Sequence, residues 1–394
     1  MKYDASTYMI SDAGHLGKTA LTLGIAGLVV SLIGYFVDND QFFFSYLTSF
    51  AFWFTLSAGA LFFAMVHHLT GATWSVVLRR LTENIMLMLP LMIIFFLPIL
   101  FGAHSLYHWT HVDAVAQDAL LMGKQPYLNM SFFVIRSFIY FAIWIILIFL
   151  LRKYSLRQDD GHTEKIRQKF GRVSAPGMIL FALSLTFASF DWLMSLDPHW
   201  YSTIYGVYIF SGGLVGFLTF TTLILMYLRN RGVLANVVTI EHYHDLGKLT
   251  FAFMVFWGYM AFSQYFLIWY ANIPEETIWF LHRWEGSWKA VSLLLVFGNF
   301  VIPFFILITR GAKRQLVSLK ILAGWLLFMH YVDMYWLIIP TYHQHGFYLS
   351  WMDISTFIGI GGICFWFFWS RFVSHPIVPI RDPRLEDSIN FINH

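Results

Sequence analysis

Ten long apolar stretches dominate this sequence of 394 residues. Each approaches or exceeds the roughly 20 residues that a helix needs to cross a hydrocarbon core of about 30 Å. Hydrophobic residues make up 58% of the chain and charged residues only 12%, so a water-soluble fold could not bury the apolar surface. Since hydrocarbon offers no hydrogen-bond partners, each stretch is expected to satisfy its backbone as a helix. The predicted fold class is therefore an all-α integral membrane protein. The predicted spans are 17–36, 42–66, 82–103, 128–151, 175–195, 203–228, 249–271, 287–309, 319–341 and 351–373.

The spans are expected to form one membrane domain over residues 1–394, and their order indicates two four-helix bundles. We assign 42–195 to the first bundle and 203–341 to the second, with the spans 17–36 and 351–373 flanking them. Both bundles begin in the same sense across the membrane. Any internal repeat between them is therefore parallel rather than inverted.

The positions of basic residues predict the orientation, because lysine and arginine concentrate on the cytoplasmic side of membrane proteins. We placed the N-terminus inside and sorted the 25 basic residues accordingly. Lys124, Arg283 and Lys289 then fall outside, Arg136 falls within a span, and all others, including Lys2 and Lys165, fall inside. We therefore expect both termini in the cytoplasm. The net charge of +3 reflects this bias and does not indicate a nucleic acid partner.

Cysteine and histidine content limits the redox chemistry of the chain itself. Cys364 is the only cysteine, which excludes an internal disulfide, haem attached through a C-x-x-C-H motif and an iron-sulfur cluster on cysteine ligands. His330 is the only histidine near the middle of a span, so haem held by two membrane histidines is not expected. We predict no metal site, no catalytic residue and no bound cofactor in this chain. His104, His108 and His111 have a possible metal-ligand spacing, but we interpret them as surface residues of an outer loop. Packing or capping at a helix entrance is the favoured interpretation of His242 with His244 and of His343 with His345.

Ionisable residues within the predicted spans are the strongest pointers to function, because an unpaired charge near the bilayer centre costs several kcal/mol. His330 and Asp333 are three residues apart in the ninth span and therefore occupy neighbouring positions on one helix face. They can share a proton, and a functional role is favoured over local packing.

Arg136 and Asp191 lie on consecutive antiparallel spans, at similar depth near the outer side. They are expected to pair, with a structural and a functional role equally supported. Glu83 at the inner end of the third span and Asp353 at the outer end of the tenth are expected to be the acidic entrances, or mouths, of a hydrated proton path across the membrane. Gln264 in the seventh span adds a polar group between them. These five residues, together with His330 and Asp333, are the proton-path candidates.

Two segments carry a resemblance to a known family. The first is SFDWLMSLDPHWYSTIYG, residues 189–206, and the second is HDLGKL at 244–249, which continues through FWGY at 256–259 and FSQYFLIWYANIPEE at 262–276. They resemble the second polysulfide-reductase-type (NrfD-like) membrane subunit of bacterial alternative complex III, which oxidises quinol and reduces cytochrome c. The resemblance extends over the whole chain in span count and loop order.

The resemblance implies a location in the bacterial inner membrane and a set of partners. These are a related quinol-binding membrane subunit, and multihaem cytochrome c and iron-sulfur subunits on the outer face. Quinol or menaquinol binding by this chain stays open. An acid or base must reach the ring oxygens of a quinol, and the candidates near the outer face are Asp191, Asp197 and His199.

The sequence thus predicts a membrane subunit of a respiratory quinol-oxidising complex that supports assembly and conducts protons. Two other classes remain open. A secondary transporter would also use charges in the middle of the membrane, and the purified chain would then bind or move a solute. A purely structural subunit would tolerate removal of every buried charge without a change in turnover or proton movement.

Overall fold

A computed structural model describes residues 8–10, 14–161 and 163–393, apart from the side chains of 163–165. The expectations that rest on Lys2, Lys165 and the two ends of the chain fall outside this part. Within it, ten helices are long and apolar enough to cross a membrane, and no strand is formed. The predicted all-α, multi-pass membrane fold is confirmed. Spans 1 to 10 are Leu16–Val37, Asn39–Thr70, Trp74–Phe101, Met130–Asp159, Ile166–Leu196, Tyr205–Asn230, Ile240–Ala271, Trp288–Leu307, Leu316–Thr341 and Trp351–Phe372.

Several helices continue past the apolar stretch at the predicted inner end. The inner segment 152–174, which joins the fourth and fifth predicted spans, is helical on both sides of residue 162, which lies outside the described residues. Span 7 begins nine residues earlier than its apolar stretch, at Ile240. Its first turn is fixed by a capping box in which Thr239 and His242 satisfy each other's backbone amides. Apolar composition marks only the part of a helix in hydrocarbon, whereas capping and backbone hydrogen bonds extend it into water.

Spans 2 and 6 form the centre of the protein, since 89% of the most apolar window of each is buried. Span 2 packs against spans 3, 5, 6, 9 and 10, and span 6 packs against spans 2, 5, 7 and 9. Spans 2 to 5 also contact one another in chain order, as do spans 6 to 9. The division into two four-helix bundles stays an interpretation of these contacts.

Spans 1 and 10 pack against each other through glycines that bring the two backbones together. A Cβ atom added to Gly27 would lie 2.6 Å from the amide nitrogen of Gly359. A Cβ atom on Gly24 would lie 2.7 Å from the amide nitrogen of Ile363. Small residues allow such close approach of membrane helices, where lipid supplies no hydrophobic driving force between them.

We expect Gly27→Ala to lower the free energy of unfolding by about 1 to 3 kcal/mol, because the methyl group meets backbone that cannot rotate away. Gly324→Ala is the matched control, since a Cβ atom there has no neighbour within 4 Å. Unfolding in mixed micelles with increasing fractions of sodium dodecyl sulfate measures both variants. Equal stability of the two would contradict the close crossing.

Candidate functional site

His330 lies at the junction of spans 2, 6 and 9 and is buried. Its Nε2 atom is 3.0 Å from the hydroxyl oxygen of Thr55 in span 2. The Thr55 hydroxyl donates to the carbonyl of Ala51 at 2.7 Å, so it accepts from Nε2. The Nδ1 atom is then an unprotonated acceptor, and it has no hydrogen-bond partner among the described residues.

Asp333, one turn further along span 9, is also buried but has two neutral donors. The hydroxyl of Tyr208 in span 6 donates to Oδ1, and the indole Nε1 of Trp257 in span 7 donates to Oδ2 at 3.0 Å. No lysine or arginine forms an ion pair with this carboxyl group in the described part of the chain. Four helices therefore meet around the His330 and Asp333 side chains.

The two predicted partners face the same glycine of span 6 without a direct hydrogen bond between them. A Cβ atom added to Gly212 would lie 3.4 Å from Oδ2 of Asp333 and 3.5 Å from Nδ1 of His330. Gly216 makes room for the imidazole, because a Cβ atom there would lie 2.6 Å from its Cδ2 atom. The structure thus places Oδ2 of Asp333 and Nδ1 of His330 within 3.5 Å of one point beside Gly212. We call His330, Asp333, Thr55, Tyr208 and Trp257 the polar junction.

Arg136 and Asp191 form the expected pair between spans 4 and 5. The guanidinium binds the carboxylate through two hydrogen bonds, from Nε to Oδ2 at 2.8 Å and from the second terminal nitrogen to Oδ1 at 2.9 Å. Tyr140 donates to the same carboxylate at 2.8 Å, and Arg136 also donates to the carbonyl of Tyr127. Asp191 is fully buried. These contacts use both oxygens of the Asp191 carboxylate, and the ion pair links spans 4 and 5.

Glu83, expected to be an acidic inner mouth, is instead the centre of a buried ionic cluster. Its oxygens lie 3.0 Å from Arg152 and 3.4 Å from each of Arg79 and Arg80. Arg79 continues the cluster to Asp382 of the C-terminal segment at 2.6 Å. A carboxylate among three guanidinium groups is a salt-bridge centre, and burial of its side chain leaves no open acidic mouth at this position.

The C-terminal segment is held at this cluster by Asp382, which lies outside the membrane spans. Burial raises the pKa of its carboxyl group, but the nearby Arg79 and Arg384 outweigh burial and hold that pKa at about 2. Since the folded-state pKa is below the usual value, the resulting stabilisation is present above about pH 4. It is lost as the pH falls towards 2.

Asp353, the expected outer mouth, is buried at the start of span 10. Its Oδ2 atom accepts from the backbone amide of Ser350 at 2.8 Å as part of a capping box. Its Oδ1 atom accepts from the hydroxyl of Ser45 at 2.5 Å, and Ser45 accepts from the Gln41 amide. The other end of the Gln41 amide lies 2.6 Å from Nε2 of His343. A hydrogen-bonded chain therefore leads from the outer loop to Asp353, which also caps the helix.

Asp191, Asp197 and His199 are not brought together into one site. Asp191 is engaged by Arg136, whereas His199 is exposed and lies 2.6 Å from Asp118 in the preceding outer segment. Asp197 lies in the connection between spans 5 and 6, where its carbonyl accepts from the amide of Trp200. The described contacts do not join the three side chains.

The remaining histidines have structural contacts. His242 completes the capping box of span 7, and its Nε2 atom lies 3.0 Å from the carbonyl of Ser388. His104 stacks on His111 with ring centroids 3.9 Å apart. Capping is thus confirmed for His242. Across the described residues, no group of three or more histidine, cysteine, aspartate or glutamate side chains has an arrangement that could hold a metal ion.

A cavity of about 570 Å³ lies between spans 7 and 8, and sequence reasoning did not find it. Gln264, a proton-path candidate, lines this cavity, as do Tyr208 and Trp257 of the polar junction. Arg283, expected among the outer basic residues, is buried beside it. The cavity depends on how spans 6 to 9 pack against one another, which the pattern of each span does not determine. A signal was nevertheless present in the aromatic density of residues 256–270.

Comparison with models of known protein families finds none that matches this chain. Comparison with curated proteins finds no significant similarity.

Proposed function

We propose that this chain is a membrane subunit of a respiratory quinol:electron-acceptor oxidoreductase of the alternative complex III type, in which it supports assembly and conducts protons. Two lines of evidence support the proposal. One is the resemblance carried by residues 189–206 and 244–276, and the other is the polar junction in the membrane interior. Under this proposal the chain lies in the bacterial inner membrane with both termini in the cytoplasm.

The unpartnered Nδ1 atom of His330 is the observation that carries the proton-conducting role. Buried polar atoms are nearly always hydrogen-bonded, and an exception requires an explanation. Nδ1 is one of several such atoms in the described chain, and it is the one that lies, with Oδ2 of Asp333, within 3.5 Å of a single point beside Gly212. A proton or water between the two would satisfy it. Packing alone gives no reason to place an unsatisfied imidazole and a carboxyl group side by side in hydrocarbon.

The proposal assigns the redox centres to partners. A related membrane subunit binds quinol, and multihaem cytochrome c and iron-sulfur subunits accept its electrons on the outer face. The ion pairs and close helix crossings of the described chain would stabilise such an assembly. The polar junction would provide a route for protons that quinol chemistry releases or takes up.

We expect Asp333→Asn to lower proton movement per quinol oxidised by roughly 100-fold, because it removes the titratable group while it keeps the side-chain shape. The complex is isolated in mild detergent through a tag on this chain, identified by its haem absorption, and reconstituted in vesicles that contain a pH-sensitive dye. Asp113→Asn, an exposed aspartate in the outer segment, is the control. Unchanged proton movement in an assembled Asp333→Asn complex would overturn the relay, and a tagged chain that carries no haem subunit would overturn the complex.

A further inference from the structure

The cavity between spans 7 and 8 opens sideways to the surface that faces lipid. Its outer rim includes Phe262 and Trp269 of span 7, which are 63% and 60% exposed. Trp284 and Val296, on the other side of the opening, are about half exposed. The cavity lies in the predicted outer half of the membrane. A molecule can therefore enter it from the bilayer without crossing water.

The walls of this cleft are flat and aromatic. Trp257, Phe280 and Phe300 line it together with the rim residues. Span 8 widens along this wall into a π-helical turn over Leu295–Val301, an irregularity found mostly at functional sites. Gly258 leaves the space that Phe300 occupies, because a Cβ atom there would lie 2.6 Å from its ring. Aromatic walls favour a ligand with a planar ring, because such a ring can stack on them.

Gln264 supplies the polar group of the cleft. Its side chain is only 4% exposed, and its Oε1 atom has no hydrogen-bond partner in the described structure. Leaving such an atom unsatisfied costs about 1 to 3 kcal/mol. An amide accepts from a hydroxyl group through its oxygen and donates to a carbonyl group through its nitrogen. A ligand with either group would remove this cost.

The charge of the cleft favours a neutral ligand. Arg283 borders it, but its guanidinium donates to the carbonyls of Trp279, Trp336 and Leu337 at 2.8 to 3.1 Å and stacks on the Trp279 ring. No aspartate, glutamate or lysine is among the described lining residues. Three of the five N–H donors of Arg283 are thus engaged by backbone carbonyls, so a phosphate headgroup would find only part of the guanidinium, and a phospholipid is the weaker fit.

The floor of the cleft contacts the polar junction. Tyr208 and Trp257 line the cleft, and both donate to the carboxyl group of Asp333. A molecule at the floor would thus be separated from Asp333 by the width of a single side chain.

We propose that this cleft binds a neutral, lipid-soluble molecule whose planar ring carries hydroxyl or carbonyl groups, with Gln264 as the hydrogen-bond partner of the ring oxygen. The identification of this molecule as a quinol or quinone rests on the proposed function. The site then lies in the second bundle, and Asp191, Asp197 and His199 do not line it.

Photolabelling of the full chain in phosphatidylcholine nanodiscs tests the site. The probe is a naphthoquinone with a farnesyl tail that bears a diazirine, and peptide mass spectrometry locates the label. Ala261 lines the cleft, whereas Ala252 is exposed on the same helix outside it. We expect saturable labelling of spans 7 and 8 that Ala261→Trp abolishes and Ala252→Trp preserves. Gln264→Leu should raise the concentration for half-maximal labelling about tenfold, the effect of one lost hydrogen bond.

Competition distinguishes ring recognition from a general lipid groove. Unlabelled naphthoquinone should displace the probe, and farnesol should not. Equal competition by farnesol, an unchanged Gln264→Leu variant or labelling outside spans 7 and 8 would each overturn the assignment. Should Ala261→Trp unfold, the Gln264→Leu comparison still decides. Labelling of the cleft without an effect of Asp333→Asn on proton movement would leave this inference standing and overturn the proposed function. Loss of proton movement in Asp333→Asn without labelling of the cleft would overturn this inference and leave the proposed function standing.

Discussion

Neutralising either Arg136 or Asp191 alone is expected to lower the free energy of unfolding by about 3 to 5 kcal/mol, because each change leaves the opposite charge buried and unpaired. The pair joins spans 4 and 5 through two hydrogen bonds, and its carboxylate is fully buried. Suitable changes are Arg136→Met and Asp191→Asn, since asparagine retains an oxygen for the Tyr140 hydroxyl. The double variant should recover part of the loss, because no charge is left unpaired.

A second arginine pair in the same chain provides the control. Arg314 also binds Glu241 through two hydrogen bonds, at 2.8 and 2.5 Å, but it lies near the surface. Because water screens exposed ion pairs, Arg314→Met should cost far less than Arg136→Met. Unfolding in mixed micelles measures all four variants. Losses that simply add in the Arg136→Met/Asp191→Asn double variant would show that the two side chains do not stabilise each other.

The sequence predicts the fold well because hydrocarbon restricts a chain so strongly. Each expected span corresponds to an observed helix, and most outer ends agree within a few residues, as at Ala271 of span 7. Several inner ends differ, as in spans 4 and 7, because the added turns contain polar residues such as Arg152 and His244. Hydropathy reports the boundary of the lipid rather than the end of the helix.

The polar sites are predictable only as far as a single helix or a pair of neighbouring helices determines them. The pairing of Arg136 with Asp191 follows from two consecutive antiparallel spans. The partners of Asp333 do not, because Tyr208 and Trp257 come from spans 6 and 7 and both are uncharged. The same holds for the cleft at Gln264, whose walls come from spans packed together by tertiary contacts alone.

Glu83 shows how the same reasoning fails. An isolated glutamate at the inner end of a span is a reasonable acidic mouth, and Arg79 and Arg80 beside it were counted only towards orientation. In the folded protein these arginines and Arg152 turn inwards onto the carboxylate. A basic residue at a span end therefore serves as an orientation signal, a buried ion-pair partner or both, and only tertiary structure distinguishes these roles.

We expect Glu83→Gln to destabilise the fold by about 3 to 5 kcal/mol, because it leaves the buried Arg152 without its carboxylate partner. Asp333→Asn should have little effect on stability, although Asp333 is equally buried, because its partners Tyr208 and Trp257 are neutral. The asparagine oxygen can accept from the Trp257 indole, and its amide nitrogen can donate to the Tyr208 hydroxyl oxygen. Two buried carboxyl groups in one chain are thus expected to respond in opposite ways to the same chemical change.

Adding Arg152→Gln to Glu83→Gln should restore part of the lost stability, since the unpaired guanidinium is removed with its partner. This double variant also separates the two interpretations of Glu83. If Glu83 serves as the centre of the salt-bridge cluster, the assembled double variant should move protons as the unmodified complex does. If Glu83 is instead an acidic entrance of the proton path, Glu83→Gln should fold stably but lose proton movement. Adding Arg152→Gln should then not restore that movement. Unfolding in mixed micelles and the vesicle assay with the pH-sensitive dye decide between these outcomes, because the cluster is required for folding in one case and for conduction in the other.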